Sequence, residues 1–146
     1  MIDFDILYDS KQFIQIKPEM YQFLIDYFDK KSGSIYLAIS QNNDFIKLGR
    51  TGKNPLERAE TLSTTGVLHD FEIPFSLPVL NQFWAESMVH KKLKKYRVNK
   101  EFFAVNRNFA IQTMTEIYHL EEHLLKRYFK IENLKKNYNN INECLK

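Results

Sequence analysis

The sequence is poor in several residue types, and each scarcity excludes a class of protein. One cysteine, at position 144, stands among 146 residues, so no disulfide can form within the chain and its stability must come from burial. Four glycines and four prolines exclude collagen-like and low-complexity chains. No apolar run approaches the roughly 20 residues that span a bilayer, and the first residues are acidic where a signal peptide carries lysine or arginine. We expect a cytoplasmic protein with no membrane partner.

What the sequence does contain fits one packed domain. It is 44% hydrophobic, with 12 phenylalanines and 8 tyrosines, which is enough for one core in a chain too short for two full domains. We predict an N-terminal extension over residues 1–33, a main domain over 34–105, and a C-terminal helix with a polar tail over 106–146. The net charge of +3 does not by itself separate a nucleic-acid binder from other proteins.

Local patterns predict an α+β fold with a small three-stranded antiparallel sheet flanked by helices. Residues 34–40 and 44–49 are rich in β-formers and are joined by Gln41-Asn42-Asn43, which is typical of a hairpin. Two prolines place the third strand at a sheet edge or at a bulge. The other predicted elements are a helix after Pro18, a helix over 55–64, the third strand over 69–79, and helices over 81–96 and 106–128, with 101–103 a short extended piece.

Four motifs follow one another along the main domain. Ser34-Ile35-Tyr36 is followed by ten residues and then by Lys47-Leu48-Gly49; Leu56-Glu57-Arg58-Ala59 and a helix carrying Glu86 and His90 come later. This arrangement resembles the GIY-YIG endonuclease superfamily over roughly residues 34–105. The Lys47 to Thr51 stretch, the Glu86 to His90 step and the residues from Tyr96 to Phe103 are most similar to a phage-associated branch, known also from fungal meiotically up-regulated proteins.

The resemblance implies a metal-dependent endonuclease that hydrolyses phosphodiester bonds with low sequence specificity. Such chemistry needs a metal, a group that activates water and a cation for the transition state. By resemblance, Glu86 holds a single Mg²⁺ or Mn²⁺ ion, Arg58 contacts the scissile phosphate and Tyr36 positions or deprotonates the attacking water. Lys47 replaces the second tyrosine of the family, either as a catalytic electrostatic group or as a phosphate contact.

His90 lies four residues after Glu86 and therefore on the same helix face. It either supports the carboxylate, carries a proton, or is an ordinary helix histidine, and we include it among the candidate catalytic residues. The run from 91 to 100 holds six cations and no acid. The predicted DNA-binding cations are Arg50, Lys53, Lys91, Lys94, Lys95 and Arg97. The expected partner is DNA, with single-stranded or branched DNA among its forms.

Two other hypotheses remain at this point. In the first, the chain is a non-catalytic nucleic-acid-binding module, because Lys47 in place of a tyrosine has removed part of the catalytic machinery. In the second, the helix over 106–128 serves mainly to dock a partner or a second copy of the chain. The presence of both Arg58 and Glu86 favours the enzyme. The apolar residues of the long helix are equally able to close the core of the domain itself.

Overall fold

The computed structural model describes residues 3–41, 43–52 and 71–128. Its helices are α1 (Tyr21–Lys31), α2 (Gln82–Lys92) and α3 (Arg107–Leu125), and its strands are β1 (Gly33–Ser40), β2 (Asn43–Thr51), β3 (Phe71–Val79), β4 (Arg97–Asn99) and β5 (Phe102–Phe103). Short 3-10 turns span Phe4–Tyr8, Pro18–Met20 and Lys94–Tyr96. None of the helices in these ranges is long and apolar enough to cross a bilayer. The predicted helix over 55–64, with Arg58, lies outside the described residues, as does Lys53.

The strands form one antiparallel sheet in the order β3-β1-β2-β5-β4. The predicted hairpin and third strand are confirmed, with β3 at one edge of the sheet, a position that tolerates proline. The predicted three-stranded sheet is wrong in size, because β5 pairs with β2 through Phe103 opposite Ile46 and brings β4 with it. Strands of two and three residues are too short to show an alternating pattern in a sequence.

The side chains of β1 alternate between two packed faces of the sheet. Ile35 and Leu37 point into the main core, which is completed by residues of α2 and α3 such as Val89 and Met114. Tyr36, between them, belongs to a smaller cluster with Ala38 and Phe71 on the opposite face. This alternation is the normal consequence of the two-residue period of a strand. It puts Tyr36 and the main core on opposite sides of β1.

Helix α2 begins where the sequence predicts, because the side chain of Asn81 accepts a hydrogen bond from the Trp84 backbone N–H at 3.0 Å. The helix ends at Lys92 instead of residue 96, and a 3-10 turn follows. The helical spacing of Phe83, Met88, Val89, Leu93 and Tyr96 predicts that Phe83 lies on the apolar face of this helix, and this is wrong. The buried residues of α2 are Gln82, Ala85 and Val89, and Phe83 is 43% exposed.

Helix α3 contributes its apolar face to the protein's own interior. Ala110, Met114 and Ile117 lie in the main core, and Leu125 packs against the N-terminal residues together with Leu80. These side chains are therefore already covered within the chain. This arrangement favours the simpler of the two explanations for the long helix, closure of the core, over a partner-docking role.

A buried carboxylate on α3 holds the start of α2 in place. Glu121 is 0% exposed, and it accepts hydrogen bonds from the backbone N–H groups of Leu80 and Asn81 at 3.0 and 2.9 Å. The Tyr8 hydroxyl donates a third hydrogen bond to it at 2.9 Å. Because a carboxylate at a helix N-terminus also interacts favourably with the helix dipole, Glu121 stabilises the position of the α2 N-terminus.

Candidate active site

The candidate site starts from one cross-strand pair. Tyr36 on β1 lies opposite Gly49 on β2, and the tyrosine is 1% exposed. A Cβ atom placed on Gly49 would lie 2.6 Å from the Tyr36 hydroxyl oxygen and 2.7 Å from Cζ, closer than any real contact. The phenol ring therefore lies directly over the glycine. The ten-residue spacing between the two motifs produces this register, which explains why the second motif ends in glycine.

A pocket next to this pair is lined by Ile35, Tyr36, Leu48, Gly49, Glu86, Val89, His90 and Met114. Tyr36, Glu86 and His90, three of the five predicted catalytic residues, thus line one pocket. The Tyr36 ring itself lies over Gly49 on the face of the sheet opposite the main core. Lys47 is linked to this group through Glu101, and Arg58 lies outside the described residues.

Glu86 is a carboxylate in an unfavourable position for a charge. Its side chain is 19% exposed, and Oε2 is buried with no hydrogen-bond partner among the described residues. Burial raises the pKa of Glu86 above its ordinary value. The negative charge of Glu101 raises this pKa further, as does the hydrogen bond that the two side chains share when one carboxyl is protonated, whereas His90 and Arg50 lower it. A buried oxygen without a donor costs free energy unless a ligand satisfies it. The geometry therefore suits a cation bound at Oε2.

His90 is oriented by the main chain of β2. Its Nε2 lies 2.7 Å from the carbonyl oxygen of Leu48, which can only accept, so Nε2 carries the hydrogen and donates it. The ring also packs at a tilt on Phe103, with the ring centroids 5.0 Å apart. This fixes the tautomer of the neutral ring and leaves Nδ1 as its acceptor.

Lys47 is held in a half-enclosed position by Glu101. The ammonium lies 3.3 Å from Glu101 Oε2, and only 14% of the lysine side chain is exposed. It also approaches the rings of Phe71 and Phe102, whose centroids lie 6.0 and 5.7 Å away. Lys47 is thus a cation shielded from bulk water.

Sequence reasoning missed Glu101 as a site residue. It precedes β5 directly after Lys100, whose φ of 46° makes the tight turn from β4. This turn brings the carboxylate against Lys47 and near Glu86, contacts that no local pattern encodes. One signal was present in the sequence: Glu101 is the first acid after a ten-residue basic run.

The predicted DNA-binding cations fall into two groups. Arg50 lies beside the pocket, with Nε 3.6 Å from Glu86 Oε1 and its guanidinium 4.1 Å from the centre of the Phe83 ring. The others that the structure describes lie at the end of α2 and beyond it, and all of them are exposed: Lys91, Lys94, Lys95 and Arg97. Together they form a basic surface that starts one turn after the pocket.

Comparison with known proteins gives two matches. The T5orf172 domain matches residues 33–119, a range that contains all five strands, α2 and most of α3. An uncharacterised protein, 460R, of Invertebrate iridescent virus 6 is 32% identical over 88 residues, which is 58% of this chain and 40% of that protein. The chain therefore spans less than half the length of this relative. No solved structure matches this chain.

Proposed function

The chain belongs to the T5orf172 domain family, and from that premise we propose that it is a metal-dependent endonuclease that hydrolyses phosphodiester bonds in DNA by GIY-YIG-type chemistry. The T5orf172 domain is a nuclease-associated module, so a nucleic acid is the expected partner. One observation carries the catalytic part of the proposal. Glu86 has a buried, unsatisfied carboxylate oxygen, judged over the described residues, in a pocket that it shares with Tyr36 and His90.

The donors at this site fit a small, hard divalent cation. Carboxylate oxygens from Glu86, with Glu101 close by, are ligands that Mg²⁺ and Mn²⁺ accept. Over residues 3–41, 43–52 and 71–128, no group of three or more histidine, cysteine, aspartate or glutamate side chains could hold a metal. A single Mg²⁺ or Mn²⁺ ion suits such an open site, because these ions keep several waters and take further oxygens from a substrate phosphate. When bound, the ion polarises the scissile phosphate.

The side chains divide the remaining tasks. Tyr36 is proposed to position or deprotonate the attacking water, a role that rests on the resemblance to GIY-YIG enzymes. Lys47, shielded and held by Glu101, stabilises negative charge on the phosphate. His90, with Nε2 committed to the Leu48 carbonyl, offers Nδ1 for proton transfer. Arg58 is proposed as a second phosphate contact, from resemblance alone.

The exposed basic surface accounts for binding without sequence specificity. Lys91, Lys94, Lys95 and Arg97 follow Glu86 along the chain and are exposed, and we propose that they contact the phosphates beside the cut. Arg50, beside the pocket, and Lys53, which lies outside the described residues, are proposed as further phosphate contacts. Contacts to phosphates carry no base information, so the cleavage preference is expected to depend on the form of the DNA.

A cleavage assay with matched variants tests this proposal. Labelled single-stranded DNA, duplex DNA and RNA are incubated with Mg²⁺ or Mn²⁺ and with wild type, Glu86→Gln or Glu116→Gln. Glu116 is an exposed carboxylate on α3 paired with Lys92, so its variant controls for the loss of a negative charge. We expect metal-dependent cutting of DNA that only Glu86→Gln abolishes. Binding without cutting by wild type would favour the non-catalytic module instead.

A further inference from the structure

An exposed aromatic ring lies beside the candidate site. Phe83 is 43% exposed, and it precedes Glu86 by three residues on α2, so the two side chains are neighbours on the helix surface. The Arg50 guanidinium is centred 4.1 Å from the ring centre, and the Lys31 ammonium lies 5.0 Å from it. The end of α1, the end of β2 and the start of α2 thus converge on one ring with two cations.

An aromatic ring with two cations has both properties that a binding site for unpaired nucleotides needs. Aromatic rings and arginine guanidinium planes stack on bases, and flanking cations attract the phosphates between them. A lone exposed phenylalanine needs no explanation, but two cations around it, next to a proposed phosphodiester site, give it complementary charge. Bases within a duplex stack on each other and do not offer their faces, whereas unpaired bases do.

We propose that Phe83, Arg50 and Lys31 form a stacking subsite for an unpaired base of DNA next to the phosphate that is cut. The placement beside the cut rests on the proposed function, whereas the stacking itself does not. Both cations lie over the Phe83 ring, so an incoming base stacks on it in place of the Lys31 ammonium, the farther of the two. A π-face accepts every base, so the subsite selects unpaired DNA without selecting a sequence. It also gives Arg50 a double role, since the same guanidinium lies against Glu86.

The competing explanation is that Phe83 only holds Arg50 against Glu86. In that case the aromatic ring matters for the local structure and affects paired and unpaired DNA alike. The ratio of the two affinities therefore separates the explanations, and absolute affinity does not.

The test measures the affinity of fluorescently labelled single-stranded DNA and of the corresponding duplex by anisotropy, with EDTA present to prevent cutting. The variants are Phe83→Ala, Phe83→Leu, which keeps apolar bulk without a π-face, and Phe83→Trp, which restores one. Phe13→Ala is the matched control, because Phe13 is also exposed but stacks on Tyr128. Thermal unfolding checks that each variant is folded.

We expect Phe83→Ala and Phe83→Leu to weaken single-strand binding by about 5- to 100-fold. Duplex binding should change by less than about twofold, and Phe83→Trp and Phe13→Ala should behave as wild type. Equal losses for single strand and duplex, or no loss for either, would overturn the subsite. A wild type that cuts DNA while Phe83 variants bind normally would refute only the subsite. Selective single-strand binding through Phe83 without any cutting would refute only the nuclease.

Discussion

Gly49→Ala tests the central packing contact of the site. The added Cβ would lie 2.6 Å from the Tyr36 hydroxyl oxygen, 2.7 Å from Cζ and 3.1 Å from Cε2, where ordinary contacts begin at 3.4 Å. Either the ring or the strand must move by nearly an ångström, and Tyr36 is 1% exposed with little room to do so. Overpacking of this kind costs about 1–3 kcal/mol, and the lower entropy of the unfolded alanine chain offsets about 0.4–1 kcal/mol. We expect a net loss of about 1 kcal/mol.

The assay is urea denaturation of four proteins: wild type, Gly49→Ala, Tyr36→Leu and the double variant. Leucine lacks the three tyrosine atoms that the new Cβ would meet, so in the Tyr36→Leu background only the entropy effect remains and Gly49→Ala should stabilise by about 0.4–1 kcal/mol. The cycle should then return a coupling of about 2 kcal/mol. An equal cost for Gly49→Ala in both backgrounds would show that Tyr36 does not lie over Gly49, and the geometry of the site would be wrong.

Three further predictions concern carboxylates. Burial raises the pKa of Glu86, so its contribution to stability is present at pH below its ordinary pKa and is lost as the pH rises through the raised value. Metal-free Glu86→Gln should therefore have a higher melting temperature than wild type at neutral pH but not in acid. Equal melting temperatures for the two proteins at both pH values would refute this. Glu101→Gln should slow cleavage about ten- to hundredfold, because it releases Lys47. The double variant Lys47→Met, Glu101→Gln should cleave only slightly more slowly than Glu101→Gln alone. Additive losses of rate would mean that the two residues have independent roles. Glu121→Ala removes the acceptor of two backbone N–H groups and of the Tyr8 hydroxyl. It should lower the free energy of unfolding, measured by urea denaturation, by roughly 3–5 kcal/mol. A loss below about 1 kcal/mol would contradict the hydrogen-bond network around Glu121.

The sequence was informative where function and local structure share a signal. The β-formers around residues 41–43 predicted the hairpin, and the motif spacing corresponds to the register that places Tyr36 over Gly49. Asn81 marked the start of α2, because a side-chain cap is a local interaction. Glu86 and His90, one helical turn apart, came to the same pocket for the same reason.

The sequence was uninformative where the site depends on tertiary contacts. Glu101 reaches Lys47 only because β4 and β5 add to the sheet, and strands this short carry no period. The helical spacing of Phe83 with other apolar residues predicts that it faces the core, yet the buried face of α2 passes through Gln82, Ala85 and Val89. A polar glutamine at a buried helix position hides the true face from a hydrophobicity pattern.

The most direct test of the central claim is the single-turnover rate of DNA cleavage as a function of Mg²⁺ concentration, for wild type, Glu86→Gln and the control Glu116→Gln. The account predicts a rate that saturates with Mg²⁺ in wild type and in Glu116→Gln, no cutting in EDTA, and no product from Glu86→Gln at any Mg²⁺ concentration while DNA binding is retained. Cutting by Glu86→Gln at the wild-type rate, or cutting by wild type in EDTA, would contradict it.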